Sequence, residues 1–133
     1  MAGAYATTGE RADVSGQGGW ITGRGDDSMK LLEDHARMRA FFEAASWWKA
    51  EPRPDLVKSG SKGALCLARP GELYVIYLPS GGEATLALEK GPYRARMFDP
   101  RGGKWKDLPD ASGKEWRAAA PDREDWAFLL ETR

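Results

Sequence analysis

The chain has 133 residues, enough for one hydrophobic core and a short appended segment. Its 20 basic and 20 acidic residues give a formal net charge of zero, so we expect neither a nucleic-acid nor a membrane partner, since both usually need a basic surface. The single cysteine, Cys66, excludes an intrachain disulfide, and its place between Leu65 and Leu67 predicts a buried, unreactive thiol. No secretory leader is recognisable in residues 1–13, which leaves the compartment open.

Residues 1–25 are rich in glycine, threonine and alanine and predict an extended segment followed by a long glycine-rich loop. From Asp27 to about Trp48, apolar side chains recur every three or four residues, which predicts an amphipathic α-helix with Asp27 as its N-cap. The apolar positions of that helix are Met29, Leu32, Ala36, Phe42 and Ala45 or Trp48. Pro52 and Pro54 would stop the helix and stiffen a connector over residues 49–62.

The segment of residues 63–88 has the strongest strand pattern in the chain. It predicts three strands of one antiparallel sheet, joined by tight turns at Pro70-Gly71 and at residues 80–82. Alternating apolar positions between residues 93 and 130 predict further strands. About seven short strands at roughly ten-residue spacing favour a sandwich. The predicted fold is therefore mainly β: an antiparallel β-sandwich preceded by one amphipathic α-helix and a glycine-rich loop.

Three blocks of sequence resemble a known pairing of domains. They are AGAYATTGE with GGWITGRGDDSM, then SWWKAEPRPDLV, and then the region from CLARPGELYVIYLP to the end. The last block is similar to a β-sandwich that carries the label of a collagen-binding domain. That sandwich stands at the C-terminus of apiosidase-like, glycoside-hydrolase-type (β/α)8-barrel proteins. The motifs that carry the resemblance are residues 74–79 (YVIYLP), residues 98–103 (FDPRGG) and Asp125-Trp126.

The resemblance implies three parts: residues 1–48 as the last strand, loop and helix of a barrel, residues 49–62 as a linker, and residues 63–133 as the sandwich. Most of the barrel would then be missing, and Met1 would be an artificial start, a misassigned start or a genuine truncation. The implied role is an accessory domain that packs on the catalytic barrel through the helix and Trp47-Trp48. The implied partner is the missing barrel or a sister chain, and the parent family is secreted or periplasmic.

The second hypothesis is an extracellular module that binds collagen or polysaccharide.

If residues 1–48 are the end of a barrel, Trp20, Arg24 and Asp26 would lie in a loop at its catalytic face. There an aromatic ring can stack on a sugar and an Arg/Asp pair can bind hydroxyl groups, although packing of the loop on itself is the favoured explanation. Trp105, flanked by two lysines, is the candidate exposed aromatic. Trp116 alternates with apolar residues, as does Trp126, which predicts core positions for both.

No catalytic residue is predicted within this chain. Glycoside hydrolysis needs two carboxyl groups about 5 to 10 Å apart, and barrel enzymes place them after different strands. Only one barrel strand would be present, so the chain alone is not expected to be an enzyme; a self-sufficient enzyme would need a carboxylate pair facing a pocket. His35 is the single histidine, and no spaced set of ligands surrounds it in the sequence, so neither a metal nor a cofactor is predicted.

Overall fold

The computed structural model describes residues 30–89 and 91–132. In these ranges nine strands form two antiparallel sheets. One α-helix precedes them, and two short 3-10 turns, Trp47–Lys49 and Pro54–Leu56, follow the helix. The elements are α1 Lys30–Ala44, β1 Glu51–Pro52, β2 Val57–Gly60, β3 Leu65–Arg69, β4 Leu73–Leu78, β5 Glu83–Ala87, β6 Tyr93–Asp99, β7 Lys104–Ala111, β8 Glu115–Ala119 and β9 Trp126–Glu131. Within these ranges, no helix has the length and apolar character that a membrane span requires.

The two sheets confirm the predicted antiparallel β-sandwich. The larger has six strands in the order β1-β3-β4-β9-β6-β7, and the smaller has three in the order β2-β5-β8. The seven predicted strands correspond to β3 through β9, and the structure adds β1 and β2. Both added strands lie within residues 49–62, where β1 pairs with β3 and β2 pairs with β5. The division of the chain into barrel, linker and sandwich stays a prediction, but this segment is hydrogen-bonded into both sheets.

The main core lies between the sheets. Alternation along β6 places Tyr93, Ala95 and Met97 on the inner face, as expected from the period of two residues in a strand. Tyr74 and Phe128 are fully buried there, the first against the ring of Tyr93 and the second against that of Trp116. Each fully buried large apolar side chain contributes about 1.5 to 3 kcal/mol. This layer therefore holds the two sheets together.

The connection between β4 and β5 differs from the prediction. These strands were expected as neighbours in one sheet, but β5 belongs to the smaller sheet, where it pairs with β2 and β8. Gly81 and Gly82 have positive φ angles of 60° and 79°, which let the chain cross from one sheet to the other. The edge of β4 is then free for β9, which pairs along its whole length.

Helix α1 packs on the outer face of the larger sheet and forms a third layer. Phe41 and Ala45 are 5% and 1% exposed and contact a cluster that includes Val75 and Leu129. Strand β4 is therefore covered on both faces, which explains its unbroken apolar sequence LYVIYL. Strands of this kind do not show the alternation of a sheet with one solvated face.

The helix was predicted with the right period but with a different face and end. Phe41 rather than Phe42 is the buried ring, and Ala36 is exposed. The α-helix ends at Ala44 because Ser46 adopts a left-handed conformation with φ 46°. Its predicted start at Asp27 and the side chains of Met29 and Leu32 lie outside the described part of the structure.

Candidate functional site

Helix α1 leaves part of the outer sheet face uncovered. Beside the helix lies an open depression of about 650 Å³, and we call it the outer groove. Its floor is a row of side chains that face each other across strands: Leu65 lies opposite Tyr77, Tyr77 opposite Ala127, and Ala127 opposite Phe98. Residues directly opposite one another share a face of the sheet, so these four side chains form one continuous line across β3, β4, β9 and β6.

One wall of the outer groove is α1 itself. Asp34, Met38 and Phe41 line it at spacings of four and three residues, which places them on one face of the helix. Met38 is 44% exposed and Leu65 on the floor is 62% exposed. Large apolar side chains exposed together around one depression mark a surface that another molecule or segment covers.

The helix crosses the sheet along the same direction as the floor. At its middle, the side chain of Arg37 lies against Gly103 in the turn between β6 and β7. After its end, the 3-10 turn Trp47–Lys49 contacts β3 at the other side of the groove. The outer groove is therefore a channel parallel to α1, running from the β6–β7 turn toward β3.

The end of the groove at the β6–β7 turn is acidic. Arg101 Nε lies 2.9 Å from Asp99 Oδ1, and its guanidinium group is within 4.0 Å of carboxylate oxygens of Asp122, Glu124 and Asp125. The guanidinium also stacks over the ring of Trp126 at 4.9 Å. Burial acts to raise the pKa of Asp99, but hydrogen bonds from Arg101 outweigh it and hold that pKa below its usual value. One cation thus faces a group of four carboxylates.

A second acidic group stands on α1 at the same end. Arg37 donates to Glu33 and Asp34, at 2.7 Å each. Asp125, next to the first group, accepts a hydrogen bond of 3.1 Å from the hydroxyl of Tyr77 on the groove floor. Burial, and after it the charge of Asp125, raises the pKa of the Tyr77 hydroxyl, which therefore stays a donor at neutral pH. We call these two groups of carboxylates together the acidic end of the groove.

Of the four predicted binding residues, Trp105 lies within the described part of the structure. Trp20, Arg24 and Asp26 lie outside the described residues, so their role in a loop stays a prediction. Trp105 is half-buried: its ring stacks on Phe41 with centroids 5.3 Å apart and planes at 10°. The guanidinium of Arg96 lies 4.5 Å from the centre of the same ring. Trp105 is therefore engaged in packing α1 on the sheet rather than standing free.

The other aromatic residues divide between packing and exposure. Trp47 packs edge-on against Phe42, 6.2 Å away, as predicted for the end of the helix. Its neighbour Trp48 is 61% exposed, so the prediction that both rings pack between helix and sandwich is wrong for Trp48. Trp116 and Trp126 pack against the main core as predicted.

Possible metal ligands do not cluster in the described part of the chain. No set of three His, Cys, Asp or Glu side chains within 30–89 and 91–132 is arranged to hold a metal ion. Cys66 is buried as predicted, and burial raises the pKa of its thiol to about 11, which keeps it protonated and unreactive at neutral pH. His35 lies half-exposed on α1.

Sequence reasoning missed the outer groove. Its signal is faint: Leu65, Tyr77 and Ala127 fall on the same face of their strands as Val75 and Leu129, which α1 covers. Which of these side chains the helix reaches depends on the position of α1, and no local pattern encodes that position.

In residues 30–89 and 91–132, fold and groove define a β-sandwich with one helix on its outer sheet and an apolar channel beside that helix. No family model matches the sequence, and no curated protein is similar to it. Solved structures do share the fold. One is described as a glycoside hydrolase, with TM-score 0.63 and 8% identity over 72% of this chain and 24% of that chain. Another is a glycoside hydrolase family 5 protein from Bacteroides vulgatus, with TM-score 0.65 and 12% identity over 76% of this chain and 24% of that chain.

At these identities the likeness shows the fold alone. The present chain spans about a quarter of the length of each glycoside hydrolase that it matches. The coarse part of the sequence resemblance, a sandwich shared with glycoside hydrolases, is therefore confirmed. Its finer parts, the link to apiosidase-like proteins and the collagen-binding label, stay predictions.

Proposed function

We propose that this chain is the C-terminal accessory β-sandwich of a glycoside-hydrolase-like protein, packing on the catalytic barrel and stabilising it. The observation that carries the proposal is the outer groove, where Met38 and Leu65 remain exposed beside α1. An uncovered apolar surface of this size favours a large apolar partner. The structural likeness to a quarter of two glycoside hydrolases supports a barrel as that partner.

In this proposal, residues 1–48 are the end of the barrel and α1 is its last helix. Phe41 and Ala45 would then join the barrel to the larger sheet, because they are the buried contacts between helix and sheet. Strands β1 and β2 would fix the angle of the connection, since they bond residues 49–62 into both sheets. The loop with Trp20, Arg24 and Asp26 would open toward the sugar site of the barrel.

The chain would contribute stability and placement rather than chemistry. Glycoside hydrolysis requires two carboxyl groups held about 5 to 10 Å apart across the sugar. The described carboxylates at the acidic end of the groove face Arg37 or Arg101, and two of them, Asp125 and Asp122, also accept hydrogen bonds from Tyr77 and Trp126. Such pairing fits a docking surface better than a general acid and its partner, because hydrogen bonds to the charged form stabilise ionised carboxylates.

The test begins with the coding sequence upstream of Met1. We expect it to encode the strands of a (β/α)8 barrel in the same frame or in an adjoining gene. The barrel so found, expressed together with this chain, should co-purify with it and melt at a higher temperature than the barrel expressed alone. A barrel that is equally stable and equally active without the chain would contradict the accessory role.

Binding of collagen or polysaccharide is the alternative function. A binding face for sugars usually presents exposed aromatic rings, and Trp48 is the one exposed aromatic side chain among the residues that the structure describes. Its neighbour Trp47 is half-buried and packs against Phe42, so a single ring stands exposed and the docking function is the better supported of the two.

A further inference from the structure

We infer that the outer groove holds a second helix of the barrel, the neighbour of α1 in the outer ring, with basic side chains at the end that meets the acidic end of the groove. The inference rests on the proposed function and makes it more specific.

The dimensions of the groove fit a helix. Its floor crosses four neighbouring strands, and three inter-strand spacings amount to about 14 Å. The wall from Asp34 to Phe42 on α1 measures about 12 Å at 1.5 Å per residue. A helical stretch of about nine or ten residues would fill the channel from end to end. An extended peptide would have to cross the strands instead of pairing with a sheet edge, which leaves its backbone hydrogen bonds unmade.

The chemistry of the floor also fits a helix. Leu65, Tyr77 and Ala127 offer a mainly apolar line, and α1 already packs on the adjoining part of the same face. A helix needs an apolar stripe at positions i, i+4 and i+7 to lie on such a surface. Two parallel helices on one face of a sheet complete a layer, which is the usual way in which a sheet buries its apolar side.

The barrel supplies the direction of the second helix. In a (β/α)8 barrel every strand is followed by a helix, and the helices form a ring in which all run the same way. If α1 belongs to that ring, its neighbour lies beside it and parallel to it. The middle of α1, at Arg37, lies at the β6–β7 turn, and the 3-10 turn that follows its end contacts β3. The neighbouring helix would therefore run over the groove from the acidic end toward Leu65.

Charge supports the same placement. At the acidic end six carboxylates face fewer cations: Arg37 faces Glu33 and Asp34, Arg101 faces four carboxylates, and Arg123 and Lys104 lie in the same loops. Lysine or arginine side chains on the part of the partner helix above this end would be attracted by the excess of carboxylates and would fix its register.

The experiment uses the complete 133-residue chain and the barrel encoded upstream, produced as two polypeptides. A photo-crosslinking amino acid replaces Leu65 in one variant and Glu124 in another, and mass spectrometry identifies the barrel peptides that are captured. We expect both peptides to come from one helix next to the last helix position of the barrel. The peptide captured from position 124 should be N-terminal to the peptide captured from position 65.

Binding measurements give an independent readout. Leu65→Asp and Met38→Asp should each weaken binding of the barrel by about tenfold or more, because each places a charge on apolar surface that the helix would bury. Ala119→Asp, a change on the exposed face of β8 in the smaller sheet, serves as the matched control and should leave binding within about twofold. Glu124→Lys should weaken binding by about threefold to tenfold at low salt and by less at about 1 M salt.

The outcomes separate the two levels of the proposal. If no upstream barrel exists, or if it does not bind the chain, the proposed function fails and the inference fails with it. If the barrel binds but Leu65→Asp and Met38→Asp behave like Ala119→Asp, the accessory function stands and the second helix is wrong. Cross-links to a second copy of this chain, to a non-helical segment, or in the reverse order along the helix would also overturn the inference.

Discussion

Phe41 is the residue through which α1 is joined to the larger sheet. It is 5% exposed, and its ring lies 5.2 Å from that of Phe98 and 5.3 Å from that of Trp105. We predict that Phe41→Ala lowers the free energy of unfolding by about 3 kcal/mol, measured by urea denaturation, because it leaves a cavity at a full aromatic contact. Met38 lies on the same helix and is 44% exposed, so Met38→Ala should lower the free energy of unfolding by less than about 1 kcal/mol. Equal losses for the two variants would contradict this role.

Burial of Cys66 makes the stability of the fold depend on pH. Burial raises the pKa of its thiol from 9.0 to about 11, so between these values the unfolded chain has lost more of this proton than the folded chain. Stability must therefore fall as pH rises, and we predict that this residue contributes a loss of about 1 kcal/mol between pH 8 and pH 10. Urea denaturation at both pH values measures it. Cys66→Ala should remove that part of the slope, and an unchanged slope in this variant would refute the assignment.

At the scale of elements, the turn between β4 and β5 directs the chain from one sheet to the other. Gly81 has φ 60°, and a Cβ there would collide with the backbone of Asp122 and Arg123. Gly113 also has positive φ, at 92°, but a Cβ there would meet nothing within 4 Å. We predict that Gly81→Ala costs about 3 kcal/mol or more in urea denaturation and that Gly113→Ala costs about 1 kcal/mol. Similar losses in both variants would show that the crossing does not depend on close packing.

The elements that alternation encodes were predictable, and the relations between them were not. Strands β3 and β5 through β9 follow from their apolar pattern and turn residues, and β4 follows from its unbroken apolar run between two turns. Strand β1 has two residues and β2 has the sequence VKSG, so neither carries a pattern of its own. Their pairing is decided by the strands they meet. The change of sheet at Gly81 was not predictable either, because the same glycine residues can form the turn of a hairpin or a connection between two sheets.

For the whole molecule, the sequence predicted the sandwich and the helix but not the site between them. The outer groove arises from a register that lines up Leu65, Tyr77 and Ala127 and from a helix that stops short of covering them. Neither the register nor the helix position is a local property. The same holds for Trp105: its flanking lysines suggested exposure, whereas Phe41, distant in sequence, stacks on its ring.

The whole molecule can also be tested for the alternative function. We predict that the 133-residue chain is not retained on collagen or on insoluble plant polysaccharides at micromolar concentration, because the described surface exposes one isolated aromatic ring, Trp48. Co-sedimentation measures retention, with Trp48→Ala and Trp105→Ala as paired variants. Retention that disappears in Trp105→Ala but persists in Trp48→Ala would favour the polymer-binding module over the docking domain.

The outer groove makes a prediction for the chain without any barrel. Met38 and Leu65 are exposed, so Met38→Lys with Leu65→Lys should change the free energy of unfolding by no more than about 1 kcal/mol in total. The same double variant should lower the fluorescence of the neutral dye Nile red by about half or more, since the dye binds exposed apolar surface. Ala119→Lys on the smaller sheet is the control and should alter neither quantity. A strong loss of stability would mean that these side chains complete the fold instead of forming a docking surface. Unchanged dye fluorescence with unchanged stability would mean that the groove is not the main apolar surface of the molecule.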